Sequence, residues 1–86
     1  MPVSSMSLVE RIARIIAARV VSSNANGDDP SAGDRVDETW RDYREDALSV
    51  IRTLREPDPS MALAGDVATW ERMVEAALVE SRTPIS

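Results

Sequence analysis

WRDYREDALSVIRTL, the stretch from Trp40 to Leu54, decides the fold. Its aromatic and aliphatic side chains recur three, four or seven positions apart, which places them on one face of an α-helix. The stripe consists of Trp40, Tyr43, Ala47, Val50, Ile51 and Leu54. It predicts an amphipathic second helix over about residues 35–55, and Pro57 ends this helix because it disfavours helical dihedrals at the residue before it.

The segment before this helix is polar and rich in turn formers. Residues 22–35 contain almost no side chain that a core would bury, and they include Gly, Pro, Asn and Asp, which favour turns. The pattern predicts a mobile loop over 22–35, which carries Asp28 and Asp29. Asp34 or Asp37 is expected to cap the second helix.

A first helix is predicted over about residues 7–21. Ser7 and Glu10 have the spacing of a capping box, in which each side chain accepts from the other residue's backbone amide. The apolar arc of this helix consists of Leu8, Val9, Ile12, Ala13, Ile15, Ile16 and Val20. Arg19 falls inside the arc, where it either extends its charge to solvent near the helix end or pairs with a carboxylate on the second helix.

Two further elements are expected after the second helix. Asp58 followed by Pro59 has the pattern of a helix start, and Gly65 of a helix end, so the sequence predicts a short turn over 58–65. Asp66 is expected to cap a third helix over about 66–82. Its inward positions are Val67, Trp70, Met73, Val74, Ala77 and Leu78.

These elements predict a single all-α domain over residues 1–86. One apolar stripe per helix is best covered in a small three-helix bundle with a short extra turn between helices 2 and 3. Trp40, Tyr43 and Trp70 are the expected core residues, because the chain has no Phe and no other large aromatic side chain. Helix 1 is apolar enough around its circumference to predict a monomer or a weak homodimer.

Composition argues against an enzyme and against cofactors. The chain has no Cys and no His, which removes disulfides, thiolate and imidazole metal ligands, and the usual general base at neutral pH. We therefore expect no catalytic, cofactor-binding or metal-binding residues. There is no secretory signal pattern and no apolar run of about 18 residues, so a cytoplasmic protein without membrane contact is expected.

The net charge of −5 argues against direct binding of nucleic acid. Four acids of the second helix are expected within a narrow arc opposite Trp40, and we call them the acidic set: Glu38, Asp42, Glu45 and Asp46. One interpretation is that they imitate a phosphate backbone and bind a basic groove of a partner. The other is an ordinary solvated face, partly neutralised by Arg41 and Arg52. With Asp28 and Asp29, the acidic set forms the predicted partner-binding residues.

A family resemblance adds to this interpretation. Its residues are Trp40, Tyr43, Ala47, Arg55-Glu56-Pro57, Met61, Ala64-Gly65 and the helix from Trp70 to Leu78. At these positions the chain resembles short uncharacterised proteins of alphaproteobacterial phages and prophages. It departs from their pattern at Asp58-Pro59 and in a shorter stretch between Gly65 and Trp70.

The resemblance implies a mobile-element origin and supplies no catalytic residues. Small acidic proteins of phage accessory regions include inhibitors of host defence, so it implies a protein that binds a host protein or a CRISPR-Cas effector complex. The alternative is a phage structural or assembly accessory protein that binds another virion protein through an apolar helix face.

Overall fold

The computed structural model describes residues 3–24 and 32–82. Apart from short connections these residues are helical and none of them lies in a strand, so the all-α prediction is confirmed. The helices are α1 (Leu8–Asn24), α2 (Ala32–Thr39), α3 (Arg44–Leu54), α4 (Pro59–Ala64) and α5 (Val67–Arg82), with a 3-10 turn (Trp40–Tyr43) between α2 and α3. None of these helices is long and apolar enough to cross a membrane.

Helix α1 lies at the centre of this small helical bundle. It contacts α2, the 3-10 turn, α3 and α5, and α5 also packs against α3. The buried core cluster consists of Val9, Ala13, Ala47, Leu48, Ile51 and Val74. Two of these side chains are alanines and Ile51 is the largest that is fully buried, so the core is thin.

The predicted second helix is interrupted at Trp40–Tyr43. A 3-10 helix has three residues per turn, so side chains at positions i and i+3 point the same way. Trp40 and Tyr43 are three positions apart, and both pack partly buried against the core cluster. The tighter turn therefore directs both rings onto the bundle, and one α-helix over residues 35–55 is replaced by α2, the turn and α3.

The predicted loop over residues 22–35 is too long. Helix α1 continues to Asn24 and α2 begins at Ala32, so of this predicted loop only residues 25–31 lie outside the described residues. Ser and Asn cost a helix only a few tenths of a kcal/mol more than good helix formers, which lets α1 extend past Val21. Asp34 lies within the first turn of α2, so it is not the cap that the sequence predicted.

Several apolar side chains that were predicted to face inward are exposed. Ile15 on α1, Val50 and Leu54 on α3, and Val67 and Met73 on α5 all belong to this group. The sequence predicted a single buried stripe along this helix, but α3 packs against both α1 and α5. Its buried face therefore includes Leu48 beside Ala47 and Ile51. Trp40, Tyr43 and Trp70 are partly buried around this core and do not form its centre.

Three predicted caps are observed. The Ser7 hydroxyl accepts from the Glu10 amide at 3.2 Å, and the Asp58 carboxylate accepts from the Met61 amide at 2.9 Å. Asp66 accepts from the Ala68 amide at 3.3 Å. The second half of the capping box is replaced, because the Glu10 carboxylate binds Arg14 at 2.8 Å.

The Asp66 cap gives a direct test of how α5 begins. Its second carboxylate oxygen accepts from the Thr69 hydroxyl at 2.5 Å, so the side chain spans the first turn. Asp66→Ala should lower the free energy of unfolding by about 1 kcal/mol, measured by urea denaturation. Asp66→Asn is the matched control and should remain close to wild type, because Asn caps helices as well as Asp. Equal stability of all three proteins would contradict this role.

Two contacts join the end of α3 to α5. The Trp70 indole N–H donates to the Leu54 carbonyl at 2.7 Å, which satisfies a carbonyl that the helix end leaves without an intrahelical partner. Arg55 Nη2 lies 2.5 Å from Glu75 Oε1. These contacts fix the direction of α5 although few of its side chains are fully buried.

Candidate protein-binding surface

The acidic set is exposed, but one continuous helix does not carry it. Glu38 belongs to α2, Asp42 to the 3-10 turn, and Glu45 and Asp46 to the first turn of α3. The expected narrow arc on a single rod is therefore wrong, and the four carboxylates follow three consecutive segments that all pack against α1. Asp28 and Asp29, the other predicted partner-binding residues, lie outside the described residues.

Arg41 and Arg52 were expected to neutralise the acidic set. The Arg41 guanidinium lies 4.7 Å from the centroid of the Trp40 ring, which is cation–π geometry. Arg52 lines a shallow depression with Arg55, Glu56 and Glu71. Within residues 3–24 and 32–82, no ion pair involves a carboxylate of the acidic set. The four exposed carboxylates therefore face solvent outside these ion pairs.

Arg14 holds this surface onto α1. Its guanidinium binds Asp37 at 2.5 Å and Glu10 at 2.8 Å, and it lies 5.3 Å from the centroid of the Trp40 ring. The hydrogen bond to Asp37, followed by that to Glu10, raises the pKa of Arg14. A raised pKa means that the charged form of Arg14 is favoured in the fold. While both carboxylates are ionised, this contribution is present at every pH below the ordinary range of arginine and is lost only as pH rises through that range.

The ion pair between α1 and α2 is formed by a different arginine from the one considered in the sequence. The sequence offered two alternatives for Arg19, and one of them was a pair with a carboxylate of the second helix. In the structure the Arg19 side chain is exposed. The pair forms at Arg14, which the helical wheel placed outside the apolar arc, and its partner is Asp37, the alternative cap of helix 2. Asp37 thereby becomes an anchor between helices, and the acidic set lies next to it along the chain.

Sequence reasoning missed a second surface, a groove between α4 and α5 that we call the α4–α5 groove. It encloses about 340 Å³ and is mainly apolar, with Pro57, Met61, Val67, Trp70 and Met73 among its lining residues. All side chains of α4 are exposed, and Met73 is 63% exposed. The signal was present in the sequence as apolar residues on both elements, but Val67, Trp70 and Met73 were predicted to face the core.

Comparison with known proteins identifies no relative of this chain. No protein family model, curated protein or solved structure matches the chain. The acidic set and the α4–α5 groove are therefore the two features that bear on function.

Proposed function

We propose that this chain is a non-catalytic phage-type accessory protein that binds and inhibits a host defence protein or ribonucleoprotein. In this proposal the acidic set occupies a basic surface that otherwise binds nucleic acid. The supporting observation is that Glu38, Asp42, Glu45 and Asp46 are all exposed, while Arg41, which precedes Asp42 in the chain, stacks on Trp40. The protein would act in the host cytoplasm and would not itself bind nucleic acid.

The packing beneath the acidic set supports this role. Trp40 and Tyr43 lie between Glu38 and Glu45 in the chain and pack against the core. Their attachment limits the movement of the backbone that carries the carboxylates, so less conformational entropy is lost when a partner binds. Concentrated negative charge also accelerates association with a basic partner.

A CRISPR-Cas effector complex is the partner class that fits this charge and the phage resemblance together. Such complexes hold the guide–target heteroduplex in a positively charged channel and recognise its backbone and shape. A compact acidic surface in that channel would compete with the phosphates. Asp28 and Asp29 add two negative charges to the same part of the chain.

The test is a competition for an effector complex between this protein and target DNA. Increasing amounts of the protein should reduce guide-directed DNA binding in an electrophoretic mobility assay, and the effect should weaken steeply as salt rises. Polyglutamate at equal charge concentration is the control for a general polyanion effect. Undiminished DNA binding at low salt, or equal inhibition by polyglutamate, would exclude competitive inhibition by the acidic surface.

The α4–α5 groove favours one alternative function, a phage structural or assembly accessory protein that binds a virion protein through an apolar face. Burial of an apolar groove depends little on ionic strength, whereas burial of the acidic set depends on it strongly. A partner that remains bound at high salt would therefore support the assembly role. A partner released by moderate salt would support inhibition.

A further inference from the structure

Helix α2 is held in the fold by very little apolar burial. The core cluster contains side chains of α1, α3 and α5 but none of those described on α2. Between Gly33 and Thr39 no side chain is buried, and only Val36 and Thr39 are partly buried. The helix has eight residues, fewer than the roughly 12–15 that an isolated helix needs in water. Its observed position against α1 and the 3-10 turn, which we call the closed position, therefore depends on other contacts.

The charges of α2 also oppose the helix. Asp37 and Glu38 lie in its last turn, where the partial negative charge of the helix end disfavours carboxylates, and this turn contains no basic residue. Asp34 and Glu38 are four positions apart on α2, an interval at which like charges destabilise a helix. The sequence of α2 thus gives it little stability of its own, and its stability in the fold has to come from groups outside it.

Arg14 on α1 supplies the positive charge that the last turn of α2 lacks. Its Nη1 lies 2.5 Å from Asp37 Oδ1, and its Nε lies 2.8 Å from Glu10 Oε2, so Glu10 orients the guanidinium from within α1. The guanidinium also lies 5.3 Å from the centroid of the Trp40 ring. Trp40 is the first residue of the 3-10 turn. Arg14 therefore contacts both the end of α2 and the start of the turn that follows it.

From these contacts we propose that α2 opens and closes as a unit and that Arg14 is the positioning residue that keeps it closed. Opening carries Glu38 away from the other three acids of the acidic set, which the 3-10 turn and α3 keep on α1. Only the closed form presents the complete acidic set, so the fraction of closed molecules scales the affinity for a partner of that set. The link to affinity rests on the proposed function, whereas the opening of α2 does not.

Backbone hydrogen exchange of the full chain tests the opening. Amides of α2 should exchange faster than those of α3, because α2 opens without unfolding of the bundle. Arg14→Met keeps an unbranched apolar stem and removes the charge, so it should accelerate exchange in α2 by about fivefold, the upper range for an exposed ion pair, and leave α3 unchanged. Arg11→Met is the matched control, because Arg11 is exposed on the same helix but lines a depression beside α5. It should leave exchange in α2 unchanged.

Exchanging the two charges tests the contact itself. Arg14→Glu should open α2 more than Arg14→Met does, because it places a second carboxylate beside Asp37. Asp37→Arg alone should also open α2, because it places two guanidinium groups together. The double variant should exchange more slowly in α2 than either single variant, since the new guanidinium on α2 then faces two carboxylates on α1, one of them Glu10. A role of Arg14 in packing alone would not be rescued in this way.

The same variants connect opening to partner binding. Arg14→Glu makes the net charge more negative by two, which by itself would strengthen binding to a basic partner. We expect the opposite in the competition with target DNA: Arg14→Glu should inhibit less than wild type, because fewer molecules present the complete acidic set. The double variant with Asp37→Arg has the net charge of wild type and should recover inhibition.

Three results would overturn the proposal. Amides of α2 that exchange no faster than those of α3 would show that α2 does not open separately. A double variant that exchanges as fast as Arg14→Glu would show that the contact with Asp37 does not keep α2 closed. Full inhibition by Arg14→Glu with α2 open would contradict the link to affinity. A wild type that does not inhibit would contradict the proposed function instead, and the exchange results would still decide whether α2 opens.

Discussion

Replacing Trp70 with alanine should lower the free energy of unfolding by about 3 kcal/mol, near the lower end for deletion of a large aromatic side chain. The ring packs against the core cluster but is only partly buried, which keeps the loss from the upper end. The lost hydrogen bond to Leu54 adds little, because water can reach that exposed carbonyl. A small domain with a total stability of about 5 kcal/mol would lose most of its margin.

Thermal and urea denaturation followed by circular dichroism would measure this change. Trp70→Phe is the matched control: it keeps most of the apolar area and removes the N–H donor, whose loss water largely compensates, so it should lose less than about 1 kcal/mol. In both variants Trp40 is the remaining tryptophan and reports the packing of the 3-10 turn by fluorescence. An alanine variant that melts within a degree or two of wild type would show that the indole contributes nothing to the fold.

Neutralising the acidic set should abolish partner binding while leaving the fold intact. Changing Glu38, Asp42, Glu45 and Asp46 to Gln or Asn takes the net charge from −5 to −1. If these carboxylates occupy a basic groove, inhibition of DNA binding should fall by orders of magnitude and association should lose most of its salt dependence. Because all four side chains are exposed, each change should alter stability by less than about 0.5 kcal/mol.

A second quadruple variant separates position from total charge. Neutralising Asp34, Glu56, Glu71 and Glu80 gives the same net charge of −1 but keeps the acidic set and the Arg55–Glu75 pair. This control should retain most of the inhibition of wild type. Equal loss in both variants would indicate that only the total charge matters, and full inhibition by the first variant would remove the acidic set from the mechanism.

Local signals predicted the parts of the fold that depend on neighbours in sequence. The caps at Ser7, Asp58 and Asp66 follow from side-chain chemistry within three residues, and the structure confirms them. The buried positions Ala47 and Ile51 follow from helical spacing. In each case a short stretch of chain contains all the interacting groups.

The errors arise where the partner is distant in sequence. The i, i+3 spacing of Trp40 and Tyr43 fits an α-helix and a 3-10 turn alike, so only their packing on α1 decides between them. Burial of Leu48 and exposure of Val50 depend on α3 having two neighbours, which spacing does not reveal. The exposure of the acidic set was predicted, but its division among three segments was not, because it results from the same turn.

The bond from the Trp70 indole to Leu54 joins residues that are 16 positions apart, and the Arg55–Glu75 pair lies beside it. Together they close the intervening segment at its base, much as the stem of a hairpin closes its loop. The two ends of the segment between Leu54 and Trp70 are therefore held in place by the bundle, whatever the length of that segment. Closing a longer segment costs entropy only with the logarithm of its length. Helix α4 is consequently a position where insertions or a different short helix can be accepted while α1, α3 and α5 stay in place.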